Sequence, residues 1–232
     1  MKKVGAIVFI IAIALGVGIA NFFSVGRVHK SFLNFSLHSG TAGSGNLASE
    51  PREPGSFNGV DVSGVFQVEI ALGKEFGIEV EADDNLLPLI KTEVRDGILN
   101  IESDSRISSG NPMRVKISAP DLENVESSGA SKVSVSGLNN SLFKIETSGA
   151  SKVRIEGETA NLTIDVSGAS HVDAENLKTE NATVGASGAS HVSVFVSGRL
   201  TAESSGASKI VYAGNPKNVE KNSSGAASVR EK

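Results

Sequence analysis

The 232-residue chain has no cysteine, no tryptophan, one tyrosine and two methionines. Without cysteine there is no disulfide framework, no thiolate metal site and no thiol nucleophile. No N-terminal cysteine is available to carry a lipid either. Such a composition is compatible with an oxidising envelope compartment. Aromatic residues make up only 5% of the chain, while glycine occurs 25 times. That balance suits many short strands and tight turns better than a thick globular core. Residues 1–30 hold no acid but carry Lys2, Lys3, Arg27 and Lys30. The remainder has 18 basic and 26 acidic side chains, a net charge of −8. So acidic a body is a poor partner for nucleic acid, which needs a basic surface to meet phosphate.

Lys2 and Lys3 precede an uncharged, mostly apolar run from Val4 to Phe23. Twenty residues of helix span about 30 Å, the hydrocarbon thickness of a bilayer. The run is longer than the apolar core of a signal peptide. It therefore reads as an uncleaved membrane anchor over residues 1–26, with membrane contact through 4–23. A signal peptide cut near Ala20 is the alternative. The leading lysines place the N-terminus in the cytoplasm and the rest outside. Residues 27–56 read as a flexible tether, because Gly40 to Asn46 has linker composition.

The folded part is organised by a repeated phrase. Ser-Gly-Ala-Ser begins at Ser128, Ser148, Ser167, Ser187 and Ser205, and a degenerate copy begins at Ser224. With each glycine set to zero, position +4 holds Val133, Val153, Val172, Val192, Ile210 and Val229. Position −4 holds Val125, Ile145, Ile164, Val184 and Ala202. The ±6 positions are also mostly apolar. Alternation on both sides of the glycine predicts two short strands per repeat. A variable polar stretch, such as Gly157 to Ala160, then leads to the next copy. A unit this short cannot bury its apolar face alone, so identical units must stack. The fold class expected is all-β: a right-handed parallel β-helix or solenoid with turns of about 19 residues, preceded by an N-terminal hydrophobic helix. Ser-Gly-Ala is its corner. The regular repeat occupies 119–232 and ends in a charged cap, because Glu231 replaces the last apolar +6 residue.

Residues 57–118 read as irregular first turns. Val60 to Ile70, Phe76 to Ala82 and Met113 to Ile117 alternate as strands. Asp96-Gly97 joins Lys91–Arg95 to Ile98–Glu102 as a hairpin. Asp84 stands where it would cap a single helical turn ahead of Pro88. Val60, Ser63, Gly64, Val68 and Ile70 match the repeat offsets, marking Gly64 as a divergent early corner. The 65 residues from Gly64 to Gly129 leave room for about three irregular turns between them.

Two charged columns flank the corner at odd offsets and so point outward. At −3 stand Glu126, Glu146, Asp165 and Glu203; at +3 stand Lys132, Lys152, His171, His191 and Lys209. They are either a solvated face or a ladder for a repetitive anionic or carbohydrate ligand. The two histidines should stack about 5 Å apart and disfavour each other's protonation. No catalytic set, cofactor motif or metal-ligand set is legible; the charges recur by column instead of breaking into one singular site.

The order Phe57-Asn58-Gly59-Val60-Asp61-Val62-Ser63-Gly64, Glu79 to Pro88, Thr92 to Leu99 and Ala119-Pro120-Asp121-Leu122, followed by serial Ser-Gly-Ala, resembles the head GIN domain family of auto-transporter adhesins. The resemblance covers about residues 45–229. It implies an exported bacterial β-helix and supplies no functional residues to carry over. Together the readings favour a non-enzymatic binding or adhesion module of the cell envelope, meeting a carbohydrate or envelope ligand. An envelope scaffold assembling through its solenoid ends is the alternative, with a polysaccharide-active β-helix behind it.

Overall fold

A computed structural model describes residues 40–104 and 106–232. The hydrophobic helix expected over 4–23 lies outside the described residues. Among the described residues no helix is long and apolar enough to cross a membrane. Among the described residues nine strands precede the regular repeat: β1 Thr41–Ala42, β2 Leu47–Arg52, β3 Gly59–Gly64, β4 Gln67–Leu72, β5 Gly77–Asp83, β6 Ile90–Arg95, β7 Ile98–Ser103, β8 Ile107–Ser108 and β9 Arg114–Ala119. Eight more build the repeat: β10 Asn124–Gly129, β11 Lys132–Thr147, β12 Lys152–Val166, β13 His171–Ala186, β14 His191–Ser204, β15 Lys209–Ala213, β16 Asn218–Ser223 and β17 Ser228–Glu231. From β10 onward every pairing is parallel, each turn lying on the last. The result is a right-handed parallel β-solenoid.

The corner explains why the phrase repeats. Gly129, Gly149, Gly168, Gly188, Gly206 and Gly225 all have positive φ, between 73° and 87°. Each following alanine donates its backbone N–H to the glycine carbonyl one turn earlier: Ala150 to Gly129 at 2.7 Å, Ala169 to Gly149 at 2.7 Å. A Cβ on Gly149 would stand 2.5 Å from that Gly129 carbonyl oxygen. The position therefore demands glycine twice, for its left-handed backbone and for the closeness of the turn behind it.

Even offsets point inward, as the alternation requires. Val133, Val153, Val172, Val192 and Ile210 form one buried file, and Val125, Ile145, Ile164, Val184 and Ala202 another. At ±2 the files change chemistry. Ser131, Ser151, Ser170, Ser190 and Ser208 are buried inside the corner, facing Ser127, Thr147 and Ser204. The Ser127 hydroxyl donates to Ser151 Oγ at 3.0 Å, and Ser208 donates to the Ala186 carbonyl at 3.0 Å. Small hydroxyls fill most of the bend beside Val166 and Ala186; several bond to one another or to backbone, while among the described residues Thr147 Oγ1 and Ser190 Oγ find no partner.

Three expectations need correction. First, the variable polar stretch does not separate short strands. β11 to β14 run through it as continuous strands, with register shifts between Val135 and Leu138, Arg154 and Glu156, and Ala174 and Lys178. These bulges absorb the unequal repeat lengths, and Leu138, Leu177 and Val196 add a further buried wall. Second, Gly64 and Gly129 are not separated by three turns. They are direct neighbours in register, and the Ala130 N–H bonds to Gly64 O at 2.8 Å. The residues between them lie on the N-terminal side of that first turn. There β7 pairs with β3 and β9 with β4, both parallel. Antiparallel β6 covers β7, and antiparallel β5, backed by β2, covers β9. This excursion closes one end of the parallel ladder, where repetition would leave an open edge. Its hairpin turn is as expected, with Asp96 and Gly97 at φ 52° and 79°.

Third, the tether does not extend to residue 56. β1 pairs with β8 and β2 with β5. Backbone ladders hold this segment rather than apolar burial, since Leu47 stays half exposed. Buried Asp83 fastens it, accepting from Ser109 Oγ at 2.6 Å and Asn111 Nδ2 at 2.7 Å. These donors, Ser109 first, with a further bond from the Gly45 backbone, hold the Asp83 carboxyl below the usual range. Asp84 caps nothing. It accepts from the Asn85 N–H and from Ser44, and the short 3-10 turn Leu87–Leu89 has no side-chain cap.

The far end is finished differently. The last rung places Lys221 and Glu231 at inward-facing offsets. The Lys221 ammonium donates to the Tyr212 hydroxyl at 2.6 Å and lies 4.5 Å from its ring centre. Lys232 reaches back to Glu175 at 2.7 Å.

Gly149→Ala should destabilise the solenoid by more than the roughly 1–2 kcal/mol that a left-handed non-glycine residue costs. Gly73, at φ 79° with open space where its Cβ would stand, should pay only that conformational part. Equal losses for the two variants in chemical denaturation would refute the stacking account. Replacing Lys221 by leucine together with Glu231 by valine should expose an apolar end and produce concentration-dependent end-to-end species in light scattering.

Candidate functional site

The register turns each charged offset into a physical column. Along β3, β10, β11 and β12, Asp61 pairs with Glu126, Glu126 with Glu146, and Glu146 with Asp165. Gly185 then interrupts the file before Glu203. Asp61 is a member the sequence reading passed over; its place three residues before Gly64 was the available signal. The other column runs Gln67, Lys132, Lys152, His171, His191, Lys209 and Ser228. Both columns face outward, as expected. The structure brings like charges together within each column and sets the two columns on opposite sides of the corner.

The acidic column lines a groove of about 710 Å³. Its other wall is the first serine of each repeat, including Ser128, Ser148, Ser167, Ser187 and Ser205. The strands supply this arrangement directly: −3 and −1 are both outward positions on the same stretch of strand. Ser63 Oγ and Ser128 Oγ lie 2.9 Å apart, so hydroxyls link neighbouring rungs. Burial raises the Glu126 pKa, and the neighbouring carboxylates of Glu146 and Asp61 add to the effect. Burial likewise raises Asp61, with Glu102 contributing. Among the described residues, Glu146 alone in this column has a close counter-charge, from Lys144 at 2.7 Å. A second groove of about 530 Å³ beside β4, β5 and β9 is less suited to a ligand, because Lys116 and Glu79 pair across it at 3.2 Å.

On the opposite wall the His171 and His191 rings stack at 5.0 Å, only 5° from parallel. Partial burial lowers the His191 pKa, followed by the repulsion of His171, Lys209 and Arg230. Ser193 Oγ lies 3.3 Å from its Nε2. Among the described residues no three histidine or carboxylate side chains converge in a way that would hold a metal ion. Elsewhere Asn161 and Asn181 sit in register on adjacent turns. Asn181 Nδ2 donates to Asn161 Oδ1 at 3.4 Å, and Asn161 donates onward to the Ser141 carbonyl. This asparagine ladder follows from stacking alone.

Residues 56–216 match the family model described as "Putative auto-transporter adhesin, head GIN domain". The chain belongs to the head GIN domain family. Solved structures share the fold. One described as a putative adhesin from Bacteroides fragilis NCTC 9343 has a TM-score of 0.69 and 19% identity, over 83% of this chain and 100% of that one. Another putative adhesin, from Parabacteroides merdae ATCC 43184, has a TM-score of 0.55 and 18% identity, over 83% and 98%. No curated protein matches. At these identities the likeness extends to architecture. For this head GIN domain, the chemistry of the two faces must be read from its own residues.

A histidine with a lowered folded pKa binds protons more readily when unfolded. Stability should therefore fall as pH drops below the unfolded value of about 6.5 and continue falling to the folded pKa of His191. His191→Gln should flatten that slope. In His171→Gln the His191 midpoint, followed by NMR, should move upward yet stay below the ordinary value, because burial remains. Glu126 and Asp61 act in the opposite sense. Their raised folded pKa values give stability that is present at acid pH and lost as pH rises through those values. Glu126→Gln should accordingly stabilise the protein at pH 7 and lose that advantage near pH 4, as read by thermal melting.

Proposed function

We propose that this protein is a non-enzymatic, adhesin-like binding module of the bacterial cell envelope. In this reading it is exported and held by its N-terminal apolar segment, and it meets a carbohydrate or other envelope-surface ligand through its outward columns. The observation that carries the reading is the groove of serines and carboxylates. It repeats one donor–acceptor set, a carboxylate beside a serine hydroxyl, on the rungs of Glu126, Glu146, Asp165 and Glu203, with a gap at Gly185, at a spacing of about 4.8 Å. A repeating groove suits a repeating polymer, because each added unit meets the same hydroxyl and carboxylate. Family membership and the adhesin-like solved relatives support the same class.

Assembly through the solenoid ends is less well supported. The N-terminal end is covered by antiparallel strands, and in the last rung Lys221 stands at an apolar offset and donates to the Tyr212 hydroxyl. Both devices resist edge-to-edge addition.

The test is a glycan-array and surface-retention screen with the full-length chain in detergent. Binding to at least one polysaccharide class is expected, with a loss of about tenfold or more when Glu146 and Asp165 are both changed to alanine. Background binding throughout, with unchanged adhesion in a deletion strain, would sink the reading.

A further inference from the structure

The two outward columns carry opposite charge, run at the same pitch and leave most of their charge unpaired. Among the described residues Lys132, Lys152 and Lys209 have no carboxylate at ion-pair distance, and neither Glu126 nor Glu203 has a cation there. Nor do the columns neutralise each other within one molecule, since the corner divides them. What acts on Glu126 is Glu146, Asp61 and Lys144; what acts on His191 is His171, Lys209, Arg230 and Glu175. Each file therefore holds like charges one rung apart, facing solvent, one of them along a groove.

We propose that the acidic groove of one copy receives the basic column of a second copy, side by side, parallel and without stagger. The partner follows from the rung order. Placed level, Glu126 meets Lys132, Glu146 meets Lys152, Asp165 meets His171 and Glu203 meets Lys209. Gly185, the gap in the acidic file, falls opposite His191, the histidine held toward its neutral form. Asn222 falls opposite Ser228. A slip of one rung in either direction puts Lys209 against Gly185 or Asn222. Reversing one copy about the same midpoint puts Lys152 against Gly185. Only the level, parallel arrangement gives all three lysines a carboxylate. Each copy offers one face of each kind, so the contact is head-to-tail around the axis and propagates into a ribbon or closes as a ring. The inference rests on the proposed binding role of the groove and names a second copy of this chain as its occupant.

Sedimentation velocity of the full-length chain in detergent tests it. At low ionic strength the sedimentation coefficient should rise with protein concentration. At about 1 M salt, where the screening length is about 3 Å, it should return to that of the monomer. The variants Glu126→Lys/Glu146→Lys and Lys132→Glu/Lys152→Glu should each stay monomeric while keeping the wild-type β-sheet circular dichroism spectrum, because each meets like charge. Mixed in equal amounts they should associate again, since each reversed face then meets its complement. A wild-type chain that is monomeric at low salt overturns the proposal. So does association that survives both reversals, or that requires a divalent cation and vanishes with chelator. A monomer that still loses glycan retention in Glu146→Ala/Asp165→Ala sinks this inference and leaves the binding reading standing. Self-association without any glycan retention does the reverse.

Discussion

The structure depends on a hydrogen bond between backbones that almost touch. Each corner alanine donates to the glycine carbonyl one turn behind, and the approach leaves no space for a Cβ. With the corner fixed in this way, neighbouring turns cannot slide along one another. Every residue type at a given offset is then delivered to the same place on every turn. Apolar offsets become continuous core, the ±2 hydroxyls become a polar seam inside the bend, and charged offsets become columns. Even the divergent Gly64 obeys the rule, although 65 residues separate it from its neighbour in the stack.

That precision has an electrostatic consequence. A stacked coil concentrates whatever it repeats, so a modest charge at one offset becomes a line of like charges one rung apart. Exposed pairs of this kind interact weakly in water and salt. Burial is what chiefly raises the pKa of Glu126 and Asp61, with Glu146 and Asp61 adding to it at Glu126 and Glu102 at Asp61. The same geometry on the opposite wall presses two imidazoles face to face. The corner keeps the two files apart, so the molecule carries an acidic and a basic flank that never cancel.

The regular half was readable because one period governs it. Val133 and its counterparts, the outward columns and the stacked histidines all follow from counting offsets from glycine. The acidic file was nearly complete by the same count; only Asp61 was passed over, in a copy whose alanine had become Val65. Where the sequence leaves that period, neighbours in space are no longer neighbours in rank. Nothing in Lys91 to Ala119 announces that these strands lie behind Gly64 instead of ahead of it. That placement is settled by long-range pairing, with β3 held between β7 and β10 and β4 between β9 and β11. The residues around Gly43 read as linker because glycine and serine dominate there, yet Asp83 and its partners hold them. The groove itself has no sequence signature beyond serines and acids at odd offsets from the corner glycine. It becomes a concavity only when the turns are stacked.

The register shifts in β11, β12 and β13 have one further implication. Length differences between repeats are taken up on the wall away from the Ser-Gly-Ala corner, so the corner itself stays aligned. A whole turn could therefore be gained or lost without disturbing those above and below. Such a molecule is a ruler graduated in steps of about 4.8 Å. Its reach can change by counted units while the chemistry written along its edges stays the same.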